Sequence, residues 1–229
     1  MIVAEQKPLQ EITGLIGEAK RVLLLGCGAC VTICFAGGRK EVGLLAAQMR
    51  IAAGAKGLDI EVAEETVERQ CEDEFVQPLK EVIEKADVIV SLACGVGVQT
   101  LVELYPDKIF LPGLNTTFYG RPKTPGVFAE YCAGCGDCLL GLTGGVCPVA
   151  RCSKHMLNGP CGGSEAGRCE VDPGNVDCAW QLIYDRLKKL GRLDQLEKIA
   201  AAKDWRSGGH GGPRRIVREE LLPLEFEKK

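Results

Sequence analysis

Aromatic residues make up only 5% of this 229-residue chain, and histidine occurs just twice, at His155 and His210. Positive charge is not in excess either: 28 Lys plus Arg against 31 Asp plus Glu give a formal net charge of -3. A chain this balanced and this poor in rings lacks both the basic stripe and the stacking platforms that nucleic-acid binders use, so no nucleic acid is expected as a partner. No apolar run approaches the roughly 20 residues needed to cross a bilayer, and no membrane insertion is expected. The first twenty residues, MIVAEQKPLQEITGLIGEAK, are charged throughout and have no apolar centre of the kind a secretory signal carries. The expected compartment is the cytoplasm.

Familiar catalytic signatures are missing as well. The chain contains no GxGxxG, GxxxxGK[ST], HExxH or GxSxG. Cys94-Gly-Val-Gly-Val-Gln-Thr has two glycines where a nucleotide loop would have three, and the cysteine at its head suits a metal better. Neighbouring carboxylates such as Glu64 and Glu65 read as a solvated face. Nothing in the sequence assembles an active site.

What the chain has in quantity is cysteine, 13 residues, and glycine, 29. Thirteen is an odd number in a chain too long for a small disulfide scaffold, and a reducing cytoplasm keeps such residues as thiols. Thiolates are soft ligands for iron–sulfur clusters or zinc.

The first half alternates strand and helix signals. Arg21 to Gly26, Leu58 to Ala63, Asp87 to Ala93 and Lys108 to Pro112 read as four strands. Glu41 to Ala53, Gln77 to Lys85 and Gly95 to Leu104 carry helical spacing between them. The expected fold is α/β: a small open parallel sheet with flanking helices over residues 1–114. Residues 115–179 are Cys- and Gly-rich with little periodicity, and such a stretch needs metal staples to offset its ordering entropy. Residues 180–229 are expected to form C-terminal helices, with Trp180, Ile183, Leu187 and Leu190 on one face and Leu193, Leu196 and Ile199 continuing after Gly191, then a flexible or partner-docked tail from Trp205.

The cysteines fall into two groups. Cys27, Cys30 and Cys34 follow the first strand, Cys71 lies beyond the second, and Cys94 follows the third. Ligands of an open parallel sheet gather at the carboxyl ends of its strands, where the strand order reverses. One 4Fe-4S cluster is therefore expected among these five, with one thiol spare, whichever of Cys27, Cys30 and Cys34 faces away. In the second group, Cys132, Cys135 and Cys138 form C-x2-C-x2-C, and Cys147-Pro148 follows. Bacterial ferredoxins use that triple with a Cys-Pro after it, on a shorter spacer. The expectation is a second cluster whose fourth ligand is Cys147 or a later cysteine. Cys152, Cys161, Cys169 and Cys178 remain, enough for a third metal site, and zinc is an alternative in this half. His155, three residues after Cys152, reads more readily as a packing residue than as a ligand.

Several stretches together resemble a known family: GCGACVTIC at 26–34, ERQCEDE at 68–74, LACGVGVQ at 92–99, CAGCGDC at 132–138, GGVCPVARCSKHMLNGPCGG at 144–163 and GRCEVD at 167–172. The chain is similar to the methylenetetrahydrofolate reductase C-terminal-domain proteins, small partner subunits of the reductase of acetogens, from about Val22 to Leu190. The resemblance implies a non-catalytic chain of the Wood–Ljungdahl pathway. In such a complex a separate flavin-containing catalytic subunit reduces methylenetetrahydrofolate, and the small subunit passes electrons toward that flavin through iron–sulfur clusters. Further electron-transfer subunits are compatible with it. A rival reading is a zinc-stabilised adaptor that only holds the reductase to other subunits. The partner is expected to meet the Gly-rich run Leu157 to Gly163 or the helical end Trp180 to Trp205.

Overall fold

The computed structural model describes residues 1–221, and the chain divides into two compact units, Met1–Glu130 and Tyr131–Lys229. The first unit is α/β. Its elements run β1 (Ile2–Gln6), α1 (Leu9–Ile16), β2 (Arg21–Cys27), α2 (Cys30–Ile33), α3 (Arg39–Ala55), β3 (Glu61–Val67), α4 (Asp73–Val76), α5 (Lys80–Lys85), β4 (Val88–Leu92), α6 (Gly95–Leu104), β5 (Ile109–Pro112), β6 (Leu114–Thr124) and β7 (Val127–Cys132).

Four of these strands form the parallel sheet, in the order β3-β2-β4-β5. β2 is central, and its side chains alternate between two cores as strand geometry requires. Val22 and Leu24 pack with Val42, Leu45 and Met49 of α3 on one face. Leu23 and Leu25 pack with Ile83 of α5 and Leu101 of α6 on the other. Leu23, Leu24 and Leu25 are fully buried, and each contributes about 1.5–3 kcal/mol of burial. At the opposite end from the cysteines, Arg21 and Asp87 pin the starts of β2 and β4 through a 2.5 Å ion pair, with the Arg21 amide donating to the same carboxylate.

The expected strands and helices recur with shifts. β3 begins at Glu61 instead of Leu58, because the ladder to β2 pairs Arg21 with Glu61 and Cys27 with Val67. Leu58 is left at the surface. The helix at 77–85 opens with a 3-10 turn, Gln77–Leu79, before α5.

A second sheet was not anticipated from the sequence. β1 runs antiparallel to β6, and β7 follows β6 through the turn at Pro125-Gly126, where Gly126 adopts a positive φ that suits the third position of a Pro-Gly turn. This sheet carries the first unit to Glu130, so the change of character falls 16 residues beyond the expected 114.

Among the described residues the second unit holds two α-helices, α7 (Pro148–Arg151) and α8 (Ala179–Lys189). Its buried core is small: Cys178, Trp180, Ile183 and Leu187, with Val146 and Cys152 packed against it. The Trp180 indole N–H donates 2.8 Å to the Met156 carbonyl. After α8, Gly191 turns the chain with φ +66°, and Leu193–Glu197 is a 3-10 turn instead of the continued helix expected there. Trp205–Gly208 is another 3-10 turn, and this part of the tail is bonded in place. The end of the tail, 222–229, lies outside the described residues. Among the described residues no helix is long and apolar enough to cross a membrane.

Candidate metal centre

The first group of thiols sits at the carboxyl edge of the parallel sheet. Cys27 is the last residue of β2, and Cys94 is the N-cap of α6, two residues beyond β4. β2 and β4 are neighbours, and the chain leaves them toward opposite faces, which makes their ends the switch point of the sheet. Cys71 reaches the same edge from the loop after β3. Desolvation pushes its thiol up, and the charges of Cys27, Cys94 and Glu72 act in the same direction.

Two residues that sequence reasoning missed position that loop. Gln70 is fully buried; its amide donates 2.7 Å to the Leu25 carbonyl, and its oxygen accepts 2.6 Å from the Ser91 hydroxyl. The Gln70 side chain thereby ties the β3 loop to β2 and β4, one residue before Cys71. The only signal in the sequence was the polar Ser91 inside an otherwise apolar strand.

The three cysteines after β2 part company. Cys30 begins α2 and is half-buried. Cys34 turns into the core, where its thiol donates to the Val31 and Ala4 carbonyls at 3.5 and 3.6 Å, and burial pushes its ionisation up. Gly37 explains the tightness of this loop: a Cβ there would lie 1.9 Å from the Leu92 carbonyl oxygen.

In the second unit the C-x2-C-x2-C loop begins as β7 ends. Gly134 and Gly136 take φ of +60° and +80°, so the chain curls between the cysteines in a conformation that L side chains rarely adopt. The Gly134 amide donates 3.4 Å to the Cys132 sulfur. Cys147 caps α7 and accepts from the Ala150 amide at 3.4 Å.

The other four cysteines come together. Cys152, Cys161, Cys169 and Cys178 line a single cavity of about 20 Å³ with Lys154 and Glu170. Cys161 donates 3.0 Å to Glu170, whose carboxyl is lowered by the hydrogen bond from Lys154. A hydrogen bond with the Ser153 hydroxyl lowers Cys169. His155 does not line this cavity; its Nδ1 lies 2.6 Å from the Val149 carbonyl.

The donor chemistry of these groupings suits a metal. Among the described residues, however, no three His, Cys, Asp or Glu side chains stand so that they could hold an ion. The fit also differs between sites. A cavity of about 20 Å³ has room for one water-sized species, which suits a single ion among four thiolates better than an eight-atom cubane.

A wider groove of about 470 Å³ lies in the second unit. It is lined by Leu157, Asn158 and Pro160 together with Trp180, Tyr184 and Ile199, so both stretches expected to meet a partner contribute to it. Asn158 closes one end by exchanging two hydrogen bonds with the Ala200 backbone.

No curated protein and no solved structure matches the chain significantly. Residues 111–206, which include all eight cysteines of the second unit, match the family described as methylene-tetrahydrofolate reductase C terminal. Over that segment the chain is similar to the methylene-tetrahydrofolate reductase C-terminal family.

Proposed function

We propose that this chain is the electron-transfer subunit of a methylenetetrahydrofolate reductase, carrying iron–sulfur clusters that serve the flavin of a separate catalytic subunit. What supports this reading is that Cys27 ends β2, Cys71 lies in the loop after β3 and Cys94 lies two residues beyond β4, all at the carboxyl edge of the parallel sheet. A structural role alone gives no reason for thiols at a sheet edge that is already well packed.

Cys27, Cys30, Cys71 and Cys94 are the ligands of choice for one 4Fe-4S cluster, leaving the core-facing Cys34 as the spare thiol. Cys132, Cys135, Cys138 and Cys147 form the second set. The four cysteines of the small cavity are assigned to zinc. When bound, a cluster supplies one-electron chemistry at a potential set by burial and by hydrogen bonds to its sulfurs. The chain's own part is to hold the thiolates, aim amides at them and exclude water. The apolar groove around Trp180 and Tyr184 is the surface proposed for the partner, since exposed apolar patches rimmed by polar groups mark docking sites.

Anaerobic purification with iron, acid-labile sulfide and zinc analysis tests the assignment. Iron and sulfide in equal amounts, with one zinc per chain, support it. A colourless chain holding zinc alone makes it a structural adaptor. Reduction of the partner's flavin by an artificial donor should need this chain; equal rates without it remove the electron-transfer role.

A further inference from the structure

The segment after the 3-10 turn at Leu193–Glu197 returns to the C-x2-C-x2-C loop and takes up its carbonyl groups one by one. Arg214 donates 2.9 Å to the Gly134 carbonyl, Ser207 donates 2.9 Å to the Cys135 carbonyl, and Lys203 donates 2.7 Å to the Asp137 carbonyl. The approach is close enough that a Cβ on Gly136 would lie 2.5 Å from the Ser207 carbonyl oxygen.

A trans peptide is planar, so a carbonyl drawn one way sends the next residue's N–H the other way. Binding the carbonyls of Gly134, Cys135 and Asp137 to this strap therefore turns the amides of Cys135, Gly136 and Cys138 away from it. None of those three amides has a hydrogen-bond partner among the described residues. Amides left unpartnered in this way are donors of the kind that can serve an anion.

The charge points the same way. The Lys203 side chain is 1% exposed, yet the carboxylate nearest its ammonium is that of Asp137, 3.5 Å away and itself 65% exposed. The ammonium also donates to the Asp137 carbonyl oxygen, lies 5.7 Å from the face of Trp205, and interacts electrostatically with the Asp204 carboxylate. A buried ammonium is stabilised further by each anionic charge placed near it. A thiolate-bound cluster beside the loop is such a charge.

We infer that the strap 203–214 is a positioning element for the second metal site: Lys203, Ser207 and Arg214 hold the loop amides toward the sulfurs, and Lys203 stabilises the reduced, more negative form. The inference rests on the proposed reading that Cys132, Cys135 and Cys138 hold an iron–sulfur cluster. None of the three strap residues is itself a ligand.

The test is a redox titration of the full chain, purified anaerobically, followed by electron paramagnetic resonance, comparing wild type with Lys203→Met, Lys203→Arg and Ser207→Ala. Loss of the buried charge in Lys203→Met should lower the midpoint by an amount equal to a tenfold change in the oxidised-to-reduced ratio, about 59 mV for one electron. Lys203→Arg should restore it. Ser207→Ala should keep the charge effect and release iron to a chelator several-fold faster. A Lys203→Met chain that retains iron with an unmoved midpoint overturns the inference and leaves the electron-transfer reading standing. Iron lost from Lys203→Met but kept by Lys203→Arg supports the inference; iron lost from both reduces Lys203 to a packing residue and overturns it. A wild-type chain without iron overturns reading and inference together.

Discussion

The Ser91 hydroxyl donates to the Gln70 carboxamide over 2.6 Å, and both residues are completely buried. Removing one member leaves the other a polar group without water, which costs about 1–3 kcal/mol. Gln70→Leu should therefore lower the unfolding free energy by about that amount, since the Ser91 hydroxyl loses its acceptor and the Leu25 carbonyl loses a donor. Ser91→Ala should cost less, about 1 kcal/mol. Denaturant titration of the full chain measures both. Equal stability of all three proteins would show that the buried pair does not hold the loop.

The divided fates of the first five cysteines give a second prediction. Cys94→Ala should lower iron content, whereas Cys34→Ala should retain it and lose stability by only about 1 kcal/mol, the cost of a small buried gap. Iron analysis on the two variants decides this, and equal loss from both would return Cys34 to the ligand set.

Asp87 titrates at about 2, chiefly because Arg21 donates to it from side chain and backbone. A carboxylate depressed in the folded state adds stability that is present above its unfolded value, about 3.9, and is lost as pH falls through the folded value. The stability difference between wild type and Asp87→Asn should thus be constant near neutrality and close between about pH 4 and pH 2. Acid unfolding followed by circular dichroism checks it. A gap unchanged at pH 2 would mean that the ion pair is not the cause.

The four-cysteine cavity gives a fourth prediction. Cys169→Ser should remove zinc, leave iron content unchanged, and make residues after Tyr131 more sensitive to protease, because metal binding there is folding energy. Loss of iron in parallel with zinc would mean that the eight cysteines of the second unit do not form two separate sets.

The parallel sheet was legible because β2 and β4 are short, continuous apolar runs, as strands buried on both faces must be, while the segment leading into β3 alternates. Leu23, Leu24 and Leu25 carry that signal unambiguously. The antiparallel sheet was not legible, since β6 buries only Leu114 and Gly120 with Phe118 half-buried between them, and β1 pairs with it from more than 100 residues away. At the sites, spacing identified C-x2-C-x2-C, and strand ends identified Cys27 and Cys94. Spacing could not show that Cys152, Cys161, Cys169 and Cys178 share one cavity, because turns at Gly159, Gly162 and Gly167 fold that stretch back on itself. Nor could it show the strap, whose Gly-rich composition reads as a loose tail until the carbonyls it binds are known.

The small core of the second unit has a consequence for the life of the chain in a cell. With only Cys178, Trp180, Ile183 and Leu187 as its buried centre, a unit that held the proposed metals would gain about 1.4 kcal/mol for each tenfold rise in free ion above the dissociation constant. On the proposed assignment the folded fraction of residues 131–221 becomes a gauge of iron and zinc supply. Proteolysis would then remove chains that were never loaded, before they could compete for the reductase.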